Sequence, residues 1–157
     1  MTIRVIELYV DADACPVKAE VERVAERHKL TVHIVSNGGI RPSRNPLIQT
    51  VVVPEGADAA DDWIAEHITQ ADICITADIP LAARCLKKGA TVLRHDGKPF
   101  TEAGIGNALA MRDLNRHLRE TGMQTFNAGF TKQDRSNFLN ALETAIQQRK
   151  KLKPPSP

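Results

Sequence analysis

Apolar residues along this chain fall in short dense runs, separated by longer stretches in which they recur every three or four positions. Val5 to Val10 is the first dense run, and it stops at two carboxylates, Asp11 and Asp13. Short apolar runs bounded by polar residues predict buried strands. Thr31–Ser36, Ile48–Val53, Ile73–Ala77 and Thr91–Arg94 repeat the design and predict four more. Between the first two runs, Val17, Val21, Val24, Ala25 and His28 recur at helical spacing, with Lys18, Glu20, Glu22, Arg23 and Glu26 on the outer side. Pro16 suits a first helical position, and His28 a last turn, where a cation meets the helix dipole. Asp58 opens a second helix to about Thr69, its apolar face built from Ile64, Ile68 and Trp63. Pro80 starts a third through Leu81, Ala82, Cys85 and Leu86, stopped by Gly89 in the C-terminal cap position. Thr101 and Glu102 open a fourth to about Glu120, and Thr131 with Asp134 signals a last helix to about Lys150. His95 to Pro99 reads as a turn.

Strands that alternate with helices predict a three-layer α/β fold, a mainly parallel sheet of about five strands with helices on both faces. Residues 1–150 read as one domain, followed by a basic, proline-rich tail at 151–157. Right-handed crossovers would bring the strand ends carrying Asp11 and Asp78 to one edge of the sheet. That edge is where open α/β sheets carry their chemistry.

Composition narrows the picture. The 157 residues suffice for one core. A net charge of +2 is too small to argue for a polyanion partner. At 4% aromatic, the chain argues against a base-stacking platform of the kind single-strand binders use. No apolar run approaches a membrane span, and the first residues lack a signal-peptide pattern. The three cysteines, Cys15, Cys74 and Cys85, fit neither zinc nor disulfide spacing, so a cytoplasmic location is expected.

Carboxylates dominate the predicted edge: Asp11 and Asp13 after the first strand, Asp58, Asp61 and Asp62 at a helix start, Asp78 after the fourth strand, Asp96 after the fifth. Crowded carboxylates stay ionised where a cation compensates them or water solvates them. Oxygen ligands of this kind suit Mg²⁺ or Mn²⁺, which support phosphodiester hydrolysis. The same residues have a plainer use. Asp13, Asp58 and Asp61 read equally as helix caps or first-turn acids, and Asp96 before Gly97 as a turn residue. Asp11 and Asp78 fit the cap role less well, each coming directly at a strand end. Arg41 and Arg44, in a loop rich in glycine and proline, and Arg135, just inside the last helix, are candidates to grip phosphates. Arg112, Arg116 and Arg119 line one side of the fourth helix and could track a backbone; all of these arginines read equally as solvated surface. Among the histidines, His95 alone stands at this edge.

Several motifs together resemble one family. Val10-Asp-Ala-Asp-Ala-Cys-Pro-Val-Lys18, Ser36-Asn-Gly, Gly56-Ala-Asp-Ala-Ala-Asp-Asp62, Ile75-Thr-Ala-Asp-Ile-Pro-Leu-Ala82 and Arg135-Ser-Asn-Phe-Leu139 are similar to the uncharacterised bacterial YaiI/YqxD family. That family resembles in turn the PIN-like nucleases with their NYN domains, through Asp11, through Gly56-Ala-Asp58 with Asp62, and through Thr76-Ala-Asp78 with Leu81. The resemblance implies a Mg²⁺- or Mn²⁺-dependent ribonuclease site on a PIN-like fold. It departs at Pro80, where NYN domains carry a second aspartate.

The expectation is a metal-dependent nuclease acting on RNA, with DNA as the other candidate substrate. Asp11, Asp62 and Asp78 would be catalytic. Asp11, Asp58, Asp62 and Asp78 would hold the metal, joined by Asp13 or Asp96, and Arg41, Arg44 and Arg135 would bind substrate. Two other readings compete. A catalytically inactive module could bind nucleic acid or protein. A phosphatase of the haloacid dehalogenase type could use Asp11 as nucleophile and Asp13 as acid/base, although Cys15 stands where that motif wants Thr or Val.

Overall fold

A computed structural model describes residues 6–12, 15–38, 43–54, 59–106 and 130–151. Five strands form one sheet: β1 (Glu7–Asp11), β2 (Thr31–Ser36), β3 (Ile48–Val52), β4 (Ile73–Ile75) and β5 (Thr91–Leu93). Their spatial order is β3-β2-β1-β4-β5, and every pairing of neighbours is parallel. The helices are α1 (Lys18–His28), α2 (Ala59–His67), α3 (Ile79–Lys87) and a last helix, α4 (Lys132–Lys151). Residues 102–106 form a further helical turn. The predicted continuation of that helix to Glu120, with Arg112, Arg116 and Arg119, lies outside the described residues.

The sheet is apolar on both faces because both are covered. Leu8, Val10, Ile34, Ile73 and Ile75 pack on the side of α1 and α4, with Val21, Val24, Phe138 and Leu142. Tyr9, Val35, Cys74 and Val92 face the other way, toward α2 and α3, with Ile64, Leu81 and Cys85. Two crossovers that leave the centre in opposite directions keep one hand only if their helices lie on opposite faces. That is the arrangement of α1 between β1 and β2, and of α3 between β4 and β5.

Three local readings need correction. Pro16 precedes the first helix rather than opening it: α1 begins at Lys18, with Val17 in the cap position and no side-chain cap bond. Pro16 keeps its carbonyl outside the helix, where Arg135 donates to it at 3.5 Å. Glu20 is buried rather than outside, because α4 packs across α1 and brings Arg135 to its carboxylate as a counter-charge. Asp78, set apart from the caps, is itself the cap of α3. Its Oδ1 accepts from the backbone N–H of Leu81 at 2.8 Å, and Pro80 falls in the first turn.

Elsewhere the reading holds. Thr131 and Asp134 form a reciprocal capping box, each backbone N–H donating to the other's side chain at 3.0 Å. His28 ends α1 and reaches Glu143 of α4. Its Nε2 lies 2.8 and 2.9 Å from the two carboxylate oxygens, and Lys150 Nζ lies 2.8 Å from Nδ1. The His28 bond, with help from Gln147 and Arg27, holds the Glu143 carboxyl below its ordinary 4.5. A depressed acid pKa stabilises the fold at pH above the unfolded value, and that stability is lost as pH falls through the folded one. Wild-type protein is therefore expected to outlast Glu143→Gln in urea at neutral pH and to lose that advantage on acidification below about 4.5. Urea midpoints measured across the acid range check this.

Candidate functional site

The sheet has one point where strand order reverses, between β1 and β4, the place where doubly wound sheets bind ligands. In register, Leu8 pairs with Ile73 and Val10 with Ile75, so Asp11 and Thr76 are the next residues along. The Thr76 hydroxyl is fully buried and donates to Asp11 Oδ2 at 3.0 Å. The Thr76 hydroxyl oxygen also accepts from the backbone N–H of Asp78 at 2.9 Å. One threonine thus ties Asp11 and Asp78 together across the two strand ends. The Asp78 carboxylate is held in turn by the α3 cap. Thr76 is the residue of this candidate site that carboxylate counting overlooks. Its signal in the sequence is a polar residue closing the apolar run Ile73-Cys-Ile.

The other predicted residues are placed as follows. Asp61 and Asp62 lie in the first turn of α2. The Asp62 carboxylate, 55% exposed, accepts from Arg84 of α3 at 2.7 Å. Asp96 serves its turn: Oδ1 accepts from the Lys98 N–H at 3.2 Å, and Arg94 stands 3.6 Å from Oδ2. Arg135 bonds Glu20, and its guanidinium carbon lies 5.2 Å from the centre of the Phe130 ring. Arg44 is exposed ahead of the turn that starts β3. Asp13, Asp58 and Arg41 lie outside the described residues. Among the described residues, no three His, Cys, Asp or Glu side chains converge as a metal site. Asp72, a buried carboxylate, sits at the opposite edge, where it accepts from the N–H of Glu7 and from Thr69.

Beside the Asp11–Thr76–Asp78 cluster opens a cleft of about 270 Å³. Pro16, Ala77, Arg94, His95 and Phe130 line it, with Asp96 and Asp134. Burial pulls the His95 pKa down, with help from Arg94 and against the charge of Asp96. Its Nε2 is buried without a hydrogen-bond partner among the described residues. Cys15 is buried in the connection between β1 and α1, and burial pushes its thiol up. A protonated, enclosed thiol is a junction residue rather than a nucleophile.

The family model for the uncharacterised bacterial YaiI/YqxD proteins matches residues 9–148. The chain belongs to this family. The YaiI/YqxD assignment extends to individual relatives. A UPF0178 protein of Parvibaculum lavamentivorans is 62% identical over 95% of this chain and 99% of its own. UPF0178 proteins of Mesorhizobium japonicum and Agrobacterium fabrum are 59% and 55% identical, each aligned over more than nine-tenths of both chains. No solved structure matches the chain. Among the described residues, no helix is long and apolar enough to cross a membrane.

Proposed function

We propose that this YaiI/YqxD protein is a metal-dependent hydrolase that cleaves RNA at the carboxyl ends of β1 and β4. The observation that carries the reading is the buried Thr76 hydroxyl, which links the Asp11 carboxylate to the backbone N–H of Asp78 at the point where strand order reverses. Thr76 bonds the Asp11 carboxylate on one side and the Asp78 backbone N–H on the other, and as a neutral group it brings no counter-charge, which a cation at these strand ends would supply.

The donor set suits Mg²⁺ or Mn²⁺, since it is all oxygen and each carboxylate offers about four lone-pair sites. When bound, such an ion activates water and stabilises charge on a phosphodiester. The chain's own contribution is position. Thr76 orients Asp11, the α3 cap orients Asp78, and the first turn of α2 carries Asp61 and Asp62. For Asp62 to join, it has to release Arg84. Asp58 and Asp13 belong to the proposed ligand set through their chain neighbours, and Asp96 through the β5 turn. Arg41, Arg44 and Arg135 are the proposed substrate contacts, Arg135 from its place between Glu20 and the Phe130 ring.

A second reading is favoured by the structural use of these same groups. Asp78 caps a helix, Asp62 pairs with Arg84 and Asp96 closes a turn. A site so employed could bind RNA without cleaving it.

Calorimetric titration with Mn²⁺ separates the readings. Wild-type protein is expected to bind Mn²⁺ and to cleave single-stranded RNA, and Asp11→Asn and Asp78→Asn to lose both. Asn caps a helix about as well as Asp, so Asp78→Asn should melt close to wild type. A wild-type chain that binds no Mn²⁺ at millimolar concentration, yet retains RNA, would replace the nuclease reading with the binding module.

A further inference from the structure

The cleft beside the carboxylates has a feature that metal chemistry does not require. Phe130 is, with Val52, one of two large apolar side chains exposed among the described residues, at 38%. It stands at the mouth of α4, one residue before the capping box. The guanidinium of Arg135 covers the ring at 5.2 Å, and Arg135 is anchored twice, by the buried Glu20 carboxylate and by the Pro16 carbonyl. A ring braced in this way loses little freedom on taking a partner.

We propose that the cleft between Pro16 and Phe130 binds one nucleobase of single-stranded RNA, stacked on Phe130 beside the strand ends that carry Asp11 and Asp78. This rests on the RNA-cleaving reading and adds the means of recognition. At about 270 Å³ the cleft falls just below the roughly 300–1,000 Å³ of pockets for larger small molecules, room for one heterocycle. Its rim is amphipathic in the sense a nucleotide needs. Pro16, Ala77 and Phe130 supply apolar surface, and Arg94, a half-exposed side chain 3.6 Å from Asp96, supplies charge for a flanking phosphate. The acids on the rim are already engaged, Asp134 in the capping box and Asp96 in its turn. Stacking tolerates any base, because every base has a π face. One ring for one base is also compatible with a chain that is 4% aromatic, too few for an extended platform. Glu20 and Arg135 are positioning residues here. Arg135 is the counter-charge of the buried Glu20 carboxylate through Oε1.

Nuclear magnetic resonance titration with adenosine 5′-monophosphate and with ribose 5-phosphate tests the idea. The nucleotide is expected to bind and to shift the Phe130 resonances, with ribose 5-phosphate far weaker. Phe130→Ala should weaken the nucleotide roughly 5- to 150-fold, the loss of one stacked base, and Phe130→Tyr should restore it. Glu20→Gln, which leaves Arg135 without its counter-charge, should weaken the nucleotide and leave ribose 5-phosphate unchanged. Equal binding of the two probes, or a nucleotide indifferent to Phe130→Ala, would overturn the inference and leave the nuclease reading standing. That reading fails by its own measurement, the absence of Mn²⁺ binding.

Discussion

Phe138→Ala is expected to lower the unfolding free energy by about 3–5 kcal/mol. Phe138 is fully buried and among the largest enclosed side chains. It projects from α4 into the cluster that holds α1 and the sheet, beside Val21, Val24 and Leu142. Truncation removes the transfer free energy of the ring and leaves a void that helix and sheet cannot collapse to fill. For a domain of 157 residues each kcal/mol moves the melting temperature by roughly 2–4 °C, so a fall of about 6–20 °C follows. Urea unfolding with wild type and Phe138→Leu as references checks it. A loss below about 1 kcal/mol would mean that α4 contributes little to the core.

Gly97→Ala is expected to cost about 2–4 kcal/mol, although it adds a single methyl group in a turn. Gly97 has φ +88, in the region that side chains with a Cβ avoid. A Cβ there would stand 2.6 Å from the carbonyl oxygen of Asn137 and 3.0 Å from the backbone nitrogen of Phe138. The obstacle is helix backbone, which cannot rotate away as a side-chain tip can. The β5 turn would have to lift off α4, taking Arg94, His95 and Asp96 with it. Thermal unfolding reads the stability loss, and nucleotide binding at the neighbouring cleft should weaken in the same variant. Gly104→Ala, where the near contact is the Thr101 hydroxyl, provides a milder control.

The two variants mark where local pattern stops being informative. Phe138 can be read from the sequence as an apolar position on a capped helix, and its burial follows. Gly97 reads as a turn glycine, but its close approach to α4, forty residues away in sequence, does not. Asp78 is similar. Its place at a strand end is evident, yet its cap role depends on where α3 begins, and Pro80 tolerates the position either as first or second residue of a helix. Glu20 misleads most. A charged residue among other charged residues looks solvated until α4 supplies Arg135 to cover it.

The sequence by itself determined the five strands, the helices between them, the parallel sheet and the edge at which Asp11 and Asp78 would meet. These follow from short-range periodicity and from the constant hand of crossovers, which need no knowledge of distant contacts. Tertiary structure alone decided that Thr76 joins the two aspartates, that Asp62 faces Arg84, and that Pro16 and Phe130, 114 positions apart, form the two sides of one cleft. Side-chain pairing across elements depends on register and helix packing, and no local pattern encodes either.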